Sequence, residues 1–290
     1  MSSSPVGKGS PRELEVGYSP CPNDTFTFHA LVTGAVPCPG VVWRPLLEDV
    51  ETLNRLAFAR KLPVTKISFH ALGRLRGEYA LLRSGAALGR GAGPLLVARK
   101  GSRLATLREA RIAIPGTWTS AALLLRLFEP RAANLIAMPF HEILPAVAGG
   151  DLDAGLIIHE SRFTYRDHGL ELLADLGEWW ERESGLPTPL GAIAADRRLD
   201  PELEEAIEHA LRSSVAHARA HPEESRDYVR RHAQELASDV VERHIALYVN
   251  DFSEDLGDEG LRAVKALYAA AEARGILPRY EGPLGIARAP

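Results

Sequence analysis

From Leu14 to Ile158 the chain alternates short apolar or β-branched runs with longer stretches of helical period, and this alternation restricts its fold more than any other feature. "LEVGYS" reads as a strand, "PCPND" as a turn, and "DTFTFHALVTG" as a helix with Asn23 or Asp24 near its start and Gly34 beyond its end. The order then recurs. Strand 41–47 precedes helix 49–60, strand 63–69 precedes helix 70–79, and strand 110–115 leads through "GTWTS" into helix 121–128. "ANLIAMP", "FHEILPAVAGG" and "AGLII" follow as strand, helix and strand. Strands alternating with helices imply parallel sheets covered by helices.

From Pro201 onward the period is helical almost throughout, with Asp200–Pro201 a favourable helix start. Two apolar, Gly/Pro-flanked segments, 89–101 and 185–197, read as strands passing between two lobes. The expected organisation is a tail over 1–12, lobe one over 13–97 and 196–285, and lobe two over 98–195. The expected class is therefore α/β, two lobes with two strand crossovers and a helical C-terminal segment, and a ligand would lie between the lobes. One continuous doubly wound domain is the competing arrangement.

At 290 residues the chain suits one large domain or two. A net charge of −4 carries no basic excess, so nucleic acid is not an expected partner. No run approaches the ~20 apolar residues of a membrane span, and "MSSSPVGKGSPRE" lacks the hydrophobic region of an export signal, so a cytoplasmic protein with no membrane partner is expected. Cys21 and Cys38 have no metal-ligand spacing and are expected to be free thiols.

Ligands of open α/β sheets gather at the carboxyl ends of strands. That rule selects "SPCPND", the end of "VTKIS", "GTWTS" and the "HE" after "GLII". Thr117, Thr119 and Ser120 stand at a helix start, where hydroxyls and free N–H groups can hold a carboxylate or phosphate; alternatively Thr119 or Ser120 merely caps the helix. Lys66, a charge in an apolar strand, points either to solvent or into a cleft as an anion partner. His159 and Glu160 fall on opposite sides if the strand persists, and a lone histidine there is more often structural than catalytic. His141, also followed by a glutamate, is its rival but falls in a helix. Neither completes HExxH, and GxSxG, GxxxxGK[ST] and GxGxxG are absent. His209, His217, His221, His232 and His244 read as members of solvated helix faces.

"SPCPNDTFTFHALVTG", "LEDVETLNR", "LPVTKIS", "RSGAALGRGAGPLLVAR", "GLIIHESRFTY" and "PTPLGAIA" together resemble the 1,4-dihydroxy-6-naphthoate synthase family of futalosine-pathway menaquinone biosynthesis, over about residues 14–275. The resemblance implies a two-lobe fold like the type II periplasmic binding proteins. It implies conversion of cyclic dehypoxanthinylfutalosine to 1,4-dihydroxy-6-naphthoate with release of dihydroxyacetone, using neither metal nor organic cofactor. It places the catalytic base at His159 and substrate contacts at Lys66, Ile67, Ser68, Thr119 and Ser120. Trp118 stands where some relatives carry a histidine, which puts it at the pocket rim. A cytoplasmic solute-binding protein and chorismate dehydratase share the fold and are the alternatives, although the latter is not expected to carry both "SPCPND" and "IIHESRFTY". The implied partner is a small-molecule substrate, and the helical last third offers a surface for a homodimer.

Overall fold

In the computed structural model, which describes residues 11–102, 106–233 and 237–286, the alternation resolves into two mixed sheets. The first lobe begins β1 (Arg12–Tyr18), α1 (Pro22–Thr33), β2 (Val41–Leu47), α2 (Val50–Phe58), β3 (Val64–Ser68), α3 (Phe69–Arg74), β4 (Tyr79–Leu81) and β5 (Ala87–Gly89). The second contains β6 (Leu95–Arg99), β7 (Ile112–Ile114), α4 (Ser120–Phe128), β8 (Leu135–Ala137), α5 (Phe140–Gly149), β9 (Ala154–Ile157), α6 (Ser161–Thr164), β10 (Leu170–Asp175) and α7 (Leu176–Ser184). The chain returns through β11 (Thr188–Asp196) and ends in α8 (Pro201–Ala220), α9 (Pro222–His232), α10 (Ser238–Tyr248), α11 (Asp251–Glu254) and α12 (Gly257–Ala273).

The first sheet is ordered β2-β1-β3-β11-β4, with β5 on β11; the second is ordered β10-β6-β9-β7-β8. Neither is purely parallel as the alternation suggested. β11 runs antiparallel to β3, β4 and β5, and β6 runs antiparallel to β9 and β10. β6 and β11 are the strands that enter a sheet from the other lobe, so no βαβ crossover within one sheet dictates their direction. Each belongs wholly to one sheet, and the chain passes between lobes at 90–94 and again at 185–187.

Several local readings change. Residues 1–10 of the expected tail lie outside the described residues, and Arg12 already pairs with Val41. The helix expected over 70–79 stops at Arg74, because Tyr79 is drawn fully into the sheet and its hydroxyl donates to Leu62 O at 2.7 Å. β4 and β5 are three residues each, too short to show a period. β10 escaped notice as a half-exposed edge strand.

The largest apolar cluster runs through both lobes, joining Phe69, Tyr79 and Leu88 of the first to Leu124, Leu156 and Trp180 of the second. α1 is clamped by α8: Ser214 Oγ donates to Thr27 O at 2.7 Å and accepts from Leu31 N at 3.1 Å. These anchors fix the helix start that faces the cleft.

Asp196 closes β11 and is 2% exposed. Burial pushes its carboxyl up, but hydrogen bonds from Arg198 and Arg60 more than offset this and hold it at about 2. A depressed folded-state pKa gives stability that is complete above the unfolded value of ~3.9 and lost as pH falls through about 2. Asp196→Asn should lower the unfolding free energy at neutral pH by about 1–3 kcal/mol and flatten its fall in that acid window, as read by urea titration.

Candidate active site

β9 buries Leu156 and Ile157 and ends there, two residues before His159. His159 adopts a left-handed conformation, φ 57°, uncommon for a residue other than glycine. The chain then turns, with Phe163 N donating to Glu160 O at 2.9 Å. Because the strand does not persist, His159 and Glu160 do not point apart. Their ligand atoms and the Cys21 sulfur all lie within 4.8 Å of one another. His159 Nδ1 is 3.6 Å from Sγ of Cys21, the residue that precedes α1. His159 lines the cavity between the lobes while Cys21 does not, so the Nε2 edge of the ring is the one turned to the cavity. Burial pushes the imidazole below its ordinary pKa, with Glu160 and Asp24 opposing, so the ring is neutral at pH 7.

Two rings hold this imidazole. Phe140 meets it edge-on at 5.1 Å, and His244 lies nearly parallel at 6.1 Å. His244 was expected on a solvated face; it is fully buried, with Nε2 2.9 Å from Asn23 Oδ1 and its pKa pushed by burial to about 3. Its helical spacing from Val240 and Tyr248, both buried, was the available signal. His209 and His221 are exposed as expected, and His141 is exposed in the first turn of α5.

Lys66 is neither solvated nor a free cation. It is buried beside Asp24, Nζ to Oδ1 2.8 Å, and a Cβ at Gly191 would stand 2.8 Å from its Cε, so the glycine of "PLGAIA" leaves room for the lysine stem. Asp24, which the sequence reading treated only as a cap, also accepts from Ser19 Oγ at 2.7 Å and Asn23 Nδ2 at 2.8 Å. Ser68 lines the cavity and accepts from Asn54 Nδ2 at 3.1 Å. Ile67 alternates to the opposite face and packs in the main core.

Thr119 is the N-cap of α4: Oγ1 accepts from Ala122 N at 3.1 Å and donates to Gly116 O at 2.9 Å. Ser120 Oγ donates across the cleft to Leu190 O at 2.5 Å. The anion at this helix start is the protein's own. Glu51, a residue the sequence reading missed, accepts from Thr117 N at 3.0 Å and Trp118 N at 3.1 Å. Gly116, at φ 150°, lies against it, and a Cβ there would meet the Glu51 carboxylate at 2.5 Å. Partners 66 residues apart leave no local signal in sequence. Trp118 packs on Phe58, His70 and Arg74 and does not line the cavity.

The cavity is about 80 Å³, walled by Asp24, Lys66 and Ser68 on one side, by Thr119, Ser120 and His159 on the other, and by Tyr248 of α10. Small-molecule sites hold roughly 300–1,000 Å³, so a substrate reaches this one only when the lobes part. Glu51, Ser120 and Cys21 each make a contact that parting would break. Among the described residues no helix is long and apolar enough to cross a membrane, and both cysteines are free.

The family described as "Menaquinone biosynthesis" matches residues 14–273. The chain is 53% identical over 271 residues to a 1,4-dihydroxy-6-naphthoate synthase of Thermus thermophilus, covering 93% of this chain and 98% of that one. It is 44% identical over 283 residues to a protein of the same name from Streptomyces coelicolor, covering 94% and 98%. Among solved structures it resembles a protein of Archaeoglobus fulgidus at TM-score 0.85 and 38% identity, covering 91% and 98%. It shares its fold with an alkanesulfonate-binding protein of Xanthomonas axonopodis at TM-score 0.68 and 18% identity, covering 93% and 96%. The periplasmic-binding-protein-like, two-lobe α/β fold is thereby shown.

Glu51→Ala removes the acceptor that draws Thr117 and Trp118 across the cleft. Small-angle scattering should give a larger radius of gyration for this variant than for the ligand-free wild type, with the difference abolished by a substrate analogue. Equal radii in the ligand-free state would show that Glu51 does not hold the lobes together.

Proposed function

The chain belongs to the menaquinone-biosynthesis family, and on that premise we propose that it converts cyclic dehypoxanthinylfutalosine to 1,4-dihydroxy-6-naphthoate with release of dihydroxyacetone, a carbon–carbon lyase reaction with His159 as general base. The observation that carries the reading is His159 itself. In a chain this similar to two synthases of that name, a neutral imidazole is fixed at the cavity between the lobes.

A base must present a lone pair to the proton it takes. Burial pushes the Cys21 thiol well up, so Cys21 is neutral, and with Nδ1–H directed at its sulfur the His159 ring keeps a free lone pair on Nε2. Nε2 removes a proton from the cyclic sugar portion, ring opening and carbon–carbon cleavage release the three-carbon unit as dihydroxyacetone, and proton shifts then aromatise the new ring. Lys66, its charge balanced by Asp24, orients polar groups of the substrate with its remaining N–H, and Ser68 and Ser120 add hydroxyls beside it. Thr119 serves through the helix it caps, whose first backbone N–H groups lack intrahelical partners. Ile67 contributes by fixing the strand from which Lys66 and Ser68 project. Closure keeps water from the intermediates. The reading uses neither metal nor organic cofactor, and its partner is the small-molecule substrate.

Purified protein incubated with cyclic dehypoxanthinylfutalosine should yield the naphthoate by mass spectrometry. His159→Ala should bind substrate yet lose about 10²- to 10⁴-fold in kcat. His141→Ala, altering an exposed residue on α5, should keep near-normal kcat. The reverse pattern would reject the base.

The pH profile tests the same residue. Only neutral imidazole accepts a proton, so kcat should rise with pH through an apparent pKa below the ordinary histidine value of ~6.5 and then level off. That limb should be missing from the residual activity of His159→Ala.

A further inference from the structure

We propose that Cys21 Sγ, His159 Nδ1 and a carboxylate oxygen of Glu160 form a binding site for Zn2+ that switches the base off from behind the ring. The three donors lie within 4.8 Å of one another, and they are the sulfur, nitrogen and oxygen types that zinc accepts together. Zinc–sulfur and zinc–nitrogen bonds of about 2.3 and 2.0–2.1 Å at a tetrahedral angle separate the two donors by about 3.6 Å. Cys21 Sγ and His159 Nδ1 are 3.6 Å apart. A rotation of the Glu160 side chain completes the set.

Glu160 supplies a second, independent observation. Its Oε2 is buried with no hydrogen-bond partner among the described residues. A buried carboxylate oxygen left without a partner is costly, and a cation would satisfy it. The other group of possible ligands, His221, Glu223 and Glu224, is exposed and has no such orphan among the described residues.

Position decides the consequence. His159 lines the cavity whereas Cys21 and Glu160 do not, so a cation on these atoms lies on the far side of the ring from the substrate. On binding, the Cys21 thiol gives its proton to solvent, and thiolate and carboxylate together balance the two positive charges. Nδ1 gives its lone pair to the metal. The single proton of the neutral imidazole then resides on Nε2, the atom whose lone pair the base needs. The cation therefore takes the lone pair the base needs, and by tying Cys21 of the first lobe to His159 of the second it also holds the cleft closed. The kinetic half of this inference rests on His159 being the base; the binding half does not.

The test begins with the full-length wild type and Co2+ as a spectroscopic probe. Co2+ should bind one to one, with a thiolate-to-cobalt band in the near ultraviolet and proton release, and Zn2+ should displace it. Cys21→Ser should abolish the band, and Glu160→Gln should weaken Zn2+ binding at least 10-fold. Because Cys38 is the one other cysteine, a band that survives Cys21→Ser, or no band in the wild type, overturns the site. In steady-state assays saturating Zn2+ should lower kcat/KM about 10²-fold or more, reversibly with chelator. A thiolate band with undiminished turnover overturns the switch. Normal turnover by His159→Ala, by contrast, rejects the base and leaves the binding result standing.

Discussion

The buried pair of Lys66 and Asp24 is the interaction on which the cleft depends. It joins the end of β3 to the first turn of α1 at 2.8 Å, and Asn23 passes the connection on to His244 of α10, whose ring lies along His159. Removing one partner from a buried pair typically costs about 3–5 kcal/mol, whereas replacing both by apolar groups is often neutral. Stability alone therefore does not account for the pair. What an apolar substitute would lack is direction: Asp24 spends its oxygens on Ser19, Asn23 and Lys66, which fixes the loop after β1 that carries Cys21 to the imidazole.

Across the cleft the lobes share hydrogen bonds from main-chain and side-chain donors beside the apolar cluster common to both. Thr117 and Trp118 present N–H groups to Glu51, and Ser120 reaches the backbone of β11. A carboxylate bound to a helix-start loop is the interaction that a helix N-terminus can offer any anion, here made by the protein to itself. Burial pushes Glu51 up in pKa while the two N–H groups oppose, so the latch combines a reluctant anion with strong donors. Such a contact yields to a competitor more readily than a packed apolar seam.

The sequence exposed the alternation of elements and the strand ends, because both are written in local periodicity. His159, Lys66, Ser68, Thr119 and Ser120 could therefore be picked out before any coordinate, and the structure brings all five to one cavity. Ile67, the remaining member of that group, faces the core instead, since neighbours in a strand alternate. Asp24's pairing with Lys66, Glu51's hold on the 116–118 loop and His244's place behind His159 were not legible, because each joins residues tens to hundreds of positions apart. The direction of β6 and β11 was hidden for a related reason. Periodicity identifies a strand but says nothing of which lobe the chain has just left.

His159 sits in the second lobe and Cys21 in the first, so the ring meets the sulfur beside its Nδ1 only when the lobes approach. The left-handed backbone at His159 aims the imidazole toward the cleft from its own strand end, and closure supplies the rest of its surroundings. On the proposed reading the approach of the lobes also completes the base, because parting would take His159 away from Cys21. Were His159 the base, the contacts of Glu51 and Ser120 across the cleft would gate turnover, since a molecule that cannot draw them to their partners would leave the imidazole apart from Cys21.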